Sequence, residues 1–411
     1  MEIDYEKQGM EINKTRSRRY FDAGLLEQID ESYLGEVQEY WVKFYNKKID
    51  PSIHIAFMNL IGKKDPRIIP GDIMWNELIP YFNDQKMITG YRDKNIYDIL
   101  IDVPNSVETV IKRVRGNYYD SRNLPVNKST IVDILLETDT EFIIKPSDSN
   151  NGVGIEKMTI DGDGKVLLSN KQVSLEEIEK EYSANFAIQK IIKQHQIMST
   201  PHPQSVNTLR MVTFRWKGEI KYLLTFARFG AAGSVKDNAG AGGVCLGVKE
   251  NGEFLDIAID ENCNAHTHHP TTNYEFSQMP KIPNFSEFKQ FVISGHKGVL
   301  HHDFISWDIA VGEDAKPVFI EANFAGATWL YQMACQQPLF GNLTEEVLSF
   351  VQNEMENKVK RDIQVRSQKS KERKLKKRNK RLRKNNKVLQ EKLENAEMEI
   401  QQLNKKINMK K

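Results

Sequence analysis

Alternation of apolar and polar residues marks strands along the second half of this chain. Residues 302–311 and 318–323 form two mostly apolar runs, and the residues between them are of the types that form turns. Two such runs joined by a turn predict an antiparallel hairpin. The same reasoning predicts further strands at 107–111, 142–144, 186–192, 205–213 and 222–228.

Helical periodicity is clearest in roughly the first 50 residues. Apolar and aromatic side chains recur there at steps of three and four, which predicts helix with an apolar stripe that packs against the rest of the chain. The stripe consists of Leu25, Leu26, Ile29, Tyr33, Val37, Tyr40, Trp41 and Phe44. Shorter helices are predicted at 75–82, 96–101, 129–136 and 175–182.

The size and composition of the chain indicate a globular protein of two to three packed units, since it has 411 residues, of which 39% are hydrophobic and 28% charged. No run reaches the roughly 18 apolar residues of a membrane helix, and the first residues lack the apolar segment of a signal peptide. The three cysteines are widely spaced and do not predict a disulfide framework. We therefore expect a cytoplasmic protein.

The predicted hairpin carries three polar side chains that suit a hard metal ion. Because side chains alternate along a strand, we expect Asp308 to lie on one strand face with Ser306, and Phe319, Glu321 and Asn323 to lie together on one face of the next strand. These residues would direct three oxygen ligands into one space. Mg²⁺ takes such ligands and is usually shared with the phosphates of a nucleotide. A solvated polar strand face is the alternative.

A lysine followed by a glycine-rich turn forms a second candidate site. The predicted strand at 142–144 delivers Lys145 beside a segment of small residues. The N–H groups of such a turn form an anion-binding concavity, and the lysine supplies a point charge for the same phosphates. The spacing matches neither the Walker A nor the dinucleotide-binding motif, and a plain hairpin turn is the alternative. The small residues are Ser149, Asn150, Asn151, Gly152 and Gly154.

Two arginines lie on the next pair of predicted strands. Arg210 falls on the strand face opposite Leu209 and Met211, and Arg228 shares a strand face with Phe226. Arginines on neighbouring strands can hold a phosphate or a carboxylate by forked hydrogen bonds. Surface salt bridging is the alternative.

Two further segments are of interest for ligand binding. The glycine- and alanine-rich segment 230–243 predicts a loop over a ligand. Segment 263–270 contains one cysteine and three histidines, residue types that bind zinc, but no second ligand pair stands at zinc-finger spacing. We therefore favour a loop beside the substrate over a zinc site for this segment.

These segments together resemble the ATP-grasp superfamily, and within it the subgroup described as sugar-transfer-associated ATP-grasp. The similarity extends from about Lys94 to about Asn323. The resemblance implies an α+β ATP-grasp fold with two α+β subdomains enclosing a nucleotide, an N-terminal helical region and a C-terminal coiled-coil helix. The segments that carry it best are 144–146 with 152–154, 205–210, 237–238 with 242–243, 269–270, and 307–308 with 321–323.

The resemblance also implies ATP and two Mg²⁺ ions as cofactors and assigns roles to individual residues. In the nucleotide site, Lys94 and Lys145 would contact the phosphates, and loop 149–154 would close over them. The hinge that holds adenine would consist of Gln189, Lys190, Ile191 and Ile192. Gln194 or His195 would lie near the ribose. Around the reaction centre, Arg210 would reach the γ-phosphate or an acyl-phosphate together with Arg228 and Lys145, and Asp308, Glu321 and Asn323 would hold the metal ions. Gln189 departs from the acidic residue that many relatives carry at the hinge.

Enzymes of this kind ligate a carboxylate to an amine through an acyl-phosphate, with release of ADP. We therefore expect such a ligase here, acting on small carboxylate and amine substrates, some of them sugar-linked, in cell-surface polysaccharide or glycoconjugate biosynthesis. One alternative is an ATP-grasp phosphotransferase, which would use the same nucleotide site without an acyl intermediate. Another is a non-catalytic scaffold that binds polyanions through its coiled coil.

The C-terminal segment has a seven-residue apolar repeat. Such a repeat predicts a coiled coil, and an asparagine at a core position favours one register, often that of a parallel dimer. We therefore expect a homo-oligomer through residues 372–409, with a single solvated helix or disorder as the alternative. One seam of the repeat is Leu375, Leu382, Leu389, Ala396 and Leu403, and the other is Asn386, Leu393, Ile400 and Ile407.

Basic residues are concentrated at the start of this segment. Residues 366–387 contain 13 Lys or Arg and one acid, a local charge of +12, so the rest of the chain carries about −10 of the net +2. Such a segment is attracted to anionic membrane lipid by about 1 kcal/mol per basic residue near the surface. We expect this contact, at the inner face of the membrane, over RNA or another polyanion. The base-reading residues of basic zippers are not evident, which argues against specific DNA binding.

The sequence thus predicts four parts. They are an N-terminal helical and loop-rich region (1–88), an ATP-grasp catalytic domain (89–350) with a nucleotide-clamping subdomain at about 140–195, a linker (351–365), and a basic helix with a coiled coil (366–411).

Overall fold

The computed structural model describes residues 3–148, 153–231 and 242–408. The chain divides into two compact units, Met1–Leu348 and Ser349–Lys411. The regions predicted as 1–88 and 89–350 thus fall almost wholly into one unit. The predicted linker, 351–365, is helical.

Short helices make up the N-terminal part of the first unit. The second helix begins at Glu31 because the Asp30 carboxylate caps it, accepting a 2.9 Å hydrogen bond from the Tyr33 N–H. The predicted stripe is therefore helical only from Tyr33 onward, and Leu25, Leu26 and Ile29 precede the helix. The helices are α1 (Thr15–Asp22), α2 (Glu31–Tyr45), α3 (Ser52–Ile61), α4 (Gly71–Ile73), α5 (Ile79–Phe82), α6 (Ile88–Arg92) and α7 (Tyr97–Leu100), with a π-helical turn at Met74–Leu78 between α4 and α5.

Sheet A is the first of two antiparallel sheets, and it has eight strands in the order β3-β2-β1-β8-β4-β5-β6-β7. Its apolar side chains, among them Phe142, Ile144 and Ile188, form a core with Leu135 and Ile178 of the two helices that accompany the sheet. In chain order its elements are β1 (Thr109–Val114), β2 (Asn117–Asp120), β3 (Pro125–Val126), α8 (Ile131–Thr138), β4 (Glu141–Pro146), β5 (Glu156–Ile160), β6 (Val166–Leu168), β7 (Lys171–Val173), α9 (Leu175–Tyr182) and β8 (Phe186–Lys190).

Sheet B follows and has seven antiparallel strands in the order β13-β12-β11-β10-β9-β14-β15. One face packs into a core that includes Leu209, Met211, Trp307 and Phe288. The predicted α+β class is thereby confirmed. The elements are α10 (Gln196–Ser199), β9 (Thr208–Trp216), β10 (Glu219–Phe229), β11 (Val244–Val248), β12 (Phe254–Ile259), β13 (Ala265–His266), α11 (Phe285–Gly298), β14 (Phe304–Val311), β15 (Pro317–Asn323) and α12 (Thr328–Cys335).

Backbone hydrogen bonds connect the two sheets through the segments that flank them. The Val107 N–H, just before β1, donates to the Phe319 carbonyl of β15 at 3.0 Å. The His195 N–H, just after β8, donates to the Val311 carbonyl of β14 at 2.8 Å. Sheet A is therefore fixed to the edge hairpin of sheet B at both of these points.

The last helix, α13, spans Thr344–Asn408. Within the second unit, Leu375, Leu382, Leu389 and Leu393 are each about half exposed or more. The side chains of Leu403 and Ile407, which the predicted repeat includes, lie outside the described ones. None of the described helices has the length and apolarity needed to cross a membrane.

Helix α12 packs so closely on β11 that one position there admits only glycine. A Cβ atom on Gly247 would lie 2.3 Å from the Ala334 carbonyl oxygen and 3.0 Å from the Cys335 Cα. The backbone of α12 cannot yield as a flexible side chain would, so the glycine sets the distance between helix and sheet.

We predict that Gly247→Ala lowers the free energy of unfolding by about 2 kcal/mol or more, because overpacking a filled interior costs about 1–3 kcal/mol. Urea unfolding followed by circular dichroism measures this. Gly35→Ala is the matched control: Gly35 lies within α2 with nothing within 4 Å of its Cβ position, so alanine should stabilise by about 0.5–1 kcal/mol. Equal effects of the two substitutions would show that α12 does not constrain β11.

Candidate active site

A cavity of about 500 Å³ lies between the two sheets. On the side of sheet A it is lined by β4 and β8, and on the side of sheet B by β9, β10, β14 and β15. Of the residues predicted for the site, those that line it are Lys145, Gln189, Lys190, Ile192, Arg210, Arg228, Asp308, Glu321 and Asn323.

Strand pairing places Arg210 directly beside Asp308. The two residues are opposite each other on β9 and β14, and side chains of directly paired residues project from the same face. The guanidinium grips the carboxylate with two donors: Nε binds Oδ1, and Nη2 binds Oδ2 at 2.8 Å. Arg228 of β10 adds a contact from Nη1 to Oδ2 at 3.2 Å. Arg210 and Asp308 were predicted to serve a phosphate and a metal, and here they bind each other.

The carboxylate of Asp308 thus contacts two guanidinium groups in a buried position. Its side chain is only 6% exposed and that of Arg210 only 13%. Burial lowers the pKa of Arg210, but the adjacent Asp308 and Tyr331 outweigh burial and hold the pKa well above its ordinary value. The Arg210 guanidinium is therefore charged, and its two-donor contact with the Asp308 carboxyl group offsets the cost of burying that charge.

A β-bulge corrects the predicted face of the last strand. Asp308 pairs with Glu321, but the next pair along the ladder is Ile309 with Phe319, so Ile320 is the extra residue. Glu321 and Asn323 therefore face the cavity with Asp308, as predicted. Phe319 was expected on that face too, and this was wrong: Phe319 packs in the core against Trp307, with ring centroids 5.9 Å apart.

Two lysines approach Glu321 from outside sheet B. The Lys94 ammonium lies 3.6 Å from the Glu321 Oε2, and its backbone N–H donates to the Ser147 carbonyl at 2.8 Å, beside the end of β4. Lys145 itself is buried at 5% exposure. Burial, and then the charge of Lys94, lower the pKa of Lys145 to about 8, although Glu321 opposes the shift.

Tyr331 is a site residue for which the sequence offers little signal. Its hydroxyl accepts a 3.1 Å hydrogen bond from Arg210 Nη1, and its ring lies 5.0 Å from that of Phe226. A Cβ on Gly326 would stand 2.2 Å from this hydroxyl, so the glycine makes room for it. Only the return of α12 over sheet B brings Tyr331 to Arg210, and the chain separates the two by 121 residues.

The predicted adenine hinge lies at the end of β8. Gln189 and Lys190 line the cavity, and Ile191 lines an adjoining cavity of about 500 Å³ that shares Lys190 and Ile192 with the first. The Gln189 amide donates to the Thr109 hydroxyl at 2.9 Å. His195 is not among the described residues that line either cavity, and its Nδ1 accepts from the Ile197 N–H as the cap of α10.

The glycine turn after β4 is described only in part. Ser149, Asn150, Asn151 and Gly152 lie outside the described residues, as do residues 232–241 of the predicted ligand loop. Gly154 has a positive φ of 73°, and a Cβ there would come within 2.8 Å of Pro146. The turn thus needs glycine at this position, and Ile155 next to it lines the cavity.

The histidine-rich segment does not form a zinc site within the described part of the chain. No group of three or more His, Cys, Asp or Glu side chains there is arranged to hold a metal ion. His266 contacts Asp260 at 3.0 Å, and buried His269 contacts the Gly230 carbonyl at 2.8 Å. His269 therefore supports the start of segment 230–243.

The charges in the cavity favour an anion and leave room for a hard cation. The lining includes five cationic side chains (Arg92, Lys145, Lys190, Arg210, Arg228) and three acidic ones (Glu261, Asp308, Glu321). The two carboxylates of the hairpin and the Asn323 amide are the oxygen donors that Mg²⁺ accepts. Asn323 Nδ2 donates to Asp308 Oδ2 at 3.3 Å. Rotation of the amide group would direct its oxygen toward a metal ion instead. This donor set fits Mg²⁺.

Comparison with known proteins identifies a family. The model of the family described as "Sugar-transfer associated ATP-grasp" matches residues 74–347. No curated protein sequence matches the chain.

Several solved structures are similar to part of this chain. A D-alanine–D-alanine ligase from Bacillus anthracis, solved in complex with ATP, is 14% identical over 66% of this chain and 68% of its own, with a TM-score of 0.35. D-alanyl-alanine synthetase A from Vibrio cholerae is 13% identical over 70% and 74%, with a TM-score of 0.38. An L-amino acid ligase from Bacillus licheniformis is 10% identical over 63% and 48%, with a TM-score of 0.32.

The lowered pKa of Lys145 predicts a pH dependence of stability. Between about pH 8 and the ordinary lysine value of 10.5, the unfolded chain holds a proton on this residue that the folded chain has lost. The free energy of unfolding contributed by Lys145 therefore rises with pH across this window, by at most about 1.4 kcal/mol per pH unit, and is flat below it.

Urea unfolding of the wild type and of Lys145→Met at several pH values measures this contribution as a difference. We expect the stability advantage of Lys145→Met to shrink as the pH rises from about 8 to about 10. Lys157→Met, at an exposed lysine on β5, is the control and should show no such trend. A difference that does not change with pH would contradict the shifted pKa.

Proposed function

Because the chain belongs to the sugar-transfer associated ATP-grasp family, we propose that it is an ATP- and Mg²⁺-dependent ligase that joins a carboxylate to an amine. We place its reaction in cell-surface polysaccharide or glycoconjugate biosynthesis, in line with the family's description. The observation that carries the proposal is the meeting, in one cavity, of lysines from sheet A and the Arg210–Asp308–Glu321 cluster from sheet B.

The nucleotide would lie between the sheets with its base at the end of β8. Gln189, Lys190 and Ile192 line the cavity there, and Ile191 would complete the hinge. Lys145 and Lys94 would hold the phosphates, because both are buried lysines that lie close together beside Glu321 and can supply point charges. The segment from Ser149 to Gly154 would cover the phosphates, and His195 would lie near the ribose.

Asp308, Glu321 and Asn323 would hold Mg²⁺, two ions in this proposal. When bound, the cations would neutralise the charge of the phosphate oxygens. The present contacts of Asp308 set a condition for this, because both of its oxygens are held by Arg210 and Arg228. Phosphate oxygens entering the cavity would offer these arginines new anionic partners and so free the carboxylate.

The arginines would then act on the transferred phosphoryl group. An oxygen of the substrate carboxylate attacks the γ-phosphorus, the bond to the β-phosphate oxygen breaks, and ADP leaves. The amine nitrogen then attacks the acyl carbon, the C–O bond to phosphate breaks, and the amine loses a proton. Arg210, Arg228 and Lys145 would stabilise the charge spread over the phosphoryl oxygens, a task of placement and electrostatics that needs no side-chain nucleophile.

Hydroxylamine provides the test of this chemistry, since it traps an acyl-phosphate as a hydroxamate. We predict that the full-length protein, with Mg²⁺, ATP and hydroxylamine, releases ADP and forms hydroxamate with at least one acid in a screen of sugar acids and amino acids. Glu321→Gln should reduce both by roughly 100-fold or more, because the protein loses a carboxylate assigned to the cation that neutralises the phosphoryl oxygens.

The control is Glu219→Gln, at an exposed carboxylate at the start of β10 in the same sheet, which should keep full activity. ADP release with a phosphorylated product and no hydroxamate would instead establish a phosphotransferase. If Mg-ATP did not shift the melting temperature, the proposed nucleotide site would be contradicted, since a ligand of the folded state must stabilise it.

We also propose that the C-terminal helix joins two copies of the chain through residues 372–409. Leu375, Leu382, Leu389 and Leu393 expose about half or more of their surface, and a coiled coil is the arrangement that buries such a seam. Charges flanking the seam change along it. In a parallel pair, Lys371 would face Lys376 of the other copy, whereas Lys392 would face Glu397. The first pair repels and the second attracts, so the later part of the helix would drive association. Contact of residues 366–387 with an anionic membrane surface stays a prediction.

Substitution in the seam tests this. Leu389→Glu combined with Leu393→Glu should convert the dimer to a monomer in sedimentation velocity, because buried glutamates would face each other across the seam. Glu391→Lys, at a position outside the seam, should leave the dimer intact. A wild-type chain that sediments as a monomer at all concentrations would exclude the proposed pairing.

A further inference from the structure

One aromatic side chain in the cavity is not used by the chemistry above. Trp75 is 50% exposed and lines the cavity that holds Lys145 and Asp308. The other four tryptophans are at most 7% exposed. Single exposed apolar residues on a protein surface need no explanation, but this ring borders the candidate active site.

The backbone that carries Trp75 is fixed. It belongs to the π-helical turn Met74–Leu78. This conformation is rare in proteins overall, but where it occurs it is often at a functional site. Met74 and Leu78 on either side are buried. Glu77 anchors the turn to α2, since it accepts a 3.1 Å hydrogen bond from the Tyr45 hydroxyl and also pairs with Lys47. The backbone at Trp75 is thus held in place by its neighbours.

The residues that line the cavity come from sheet A and from several other elements. Sheet A contributes Ile143 and three residues assigned above to the nucleotide, Lys145, Gln189 and Lys190. Elements outside sheet A contribute Trp75, Ile88, Arg92, Glu261 and Leu330. The second group combines an aromatic face and aliphatic surface with one positive and one negative side chain. This combination suits a ligand with an apolar face and polar edges.

We propose that Trp75 forms the platform of the second-substrate subsite and stacks on a sugar ring. The C–H groups on one face of a pyranose form an apolar surface that would pack on the indole, which offers a large apolar area, while Arg92 and Glu261 would bind hydroxyl, amino or carboxylate substituents at the ring's edge. This inference rests on the proposed function, because it names the class of substrate that the same cavity takes beside the nucleotide.

Tryptophan fluorescence of the full-length protein measures the solvent accessibility of the Trp75 platform. Trp75 is the one tryptophan with substantial exposure, so acrylamide should quench its emission selectively. Methyl β-glucoside, glucosamine and glucuronic acid serve as ring probes. Sorbitol is the matched probe, because it has the hydroxyl groups but no rigid ring face. We expect each ring probe to lower the quenching constant of the exposed component at least twofold, and sorbitol to leave it unchanged.

Two variants make the assignment specific. Trp75→Phe should remove the quenchable component, and Trp75→Ala should weaken binding of the ring probes at least tenfold in calorimetry while the melting-temperature shift by Mg-ATP stays. Tyr81→Ala, at another half-exposed aromatic residue that is outside the cavity lining, should change neither. If Trp75→Ala does not fold, Trp75→Leu replaces it, since leucine keeps the apolar bulk but not the flat ring.

The outcomes separate this inference from the proposed function. Protection by sorbitol equal to that by the ring probes, or no protection by any probe while Mg-ATP still stabilises the protein, overturns the sugar platform and leaves the nucleotide site standing. Loss of the Mg-ATP shift in the wild type overturns the function on which the platform rests. Ring-selective protection that is lost in Trp75→Ala and kept in Tyr81→Ala supports the proposal.

Discussion

The ion pair between Arg210 and Asp308 is the interaction on which the site depends. Both groups are buried, and breaking such a pair by removing one partner costs about 3–5 kcal/mol, because the other charge is left uncompensated. The pair also fixes the alignment of β9 and β14, since a slip by one residue would turn either side chain into the apolar core. On the other side of β14, Glu321 of β15 pairs with Asp308 and so lies beside the ion pair.

Much of this arrangement could be predicted from local pattern. Strand parity placed Arg210 away from Leu209 and Met211, and these two residues do pack in the core. The hairpin of β14 and β15 was predicted within two residues at each strand end. The glycine-rich turn after Lys145 was recognisable because glycine is needed where φ is positive, as at Gly154. Each of these inferences uses only neighbours along the chain.

The remaining features depend on contacts that sequence patterns do not encode. The alternation of side chains between the two strand faces is interrupted at Ile320, because a bulge inserts one residue there and places Phe319 in the core. Tyr331 reaches Arg210 only when α12 packs over sheet B. Trp75 enters the cavity from a helical segment that looks like ordinary packing helix in the sequence. The ion pair of Arg210 with Asp308 could not be predicted either, since the two residues are 98 positions apart.

The charges of the cavity explain how a stable fold can still favour a ligand. Asp308 binds Arg210 and Arg228, whereas Glu321 lies near both Lys94 and Lys145, and burial and the charge of Lys94 lower the pKa of Lys145 to about 8. The folded protein thus carries an electrostatic cost at the point where β4 meets the hairpin. An anion that binds between these lysines would relieve the cost and favour the protonated form of Lys145. Polyphosphate binding and proton uptake by Lys145 would then be coupled, and the same positive charge that opposes folding would provide affinity for the nucleotide.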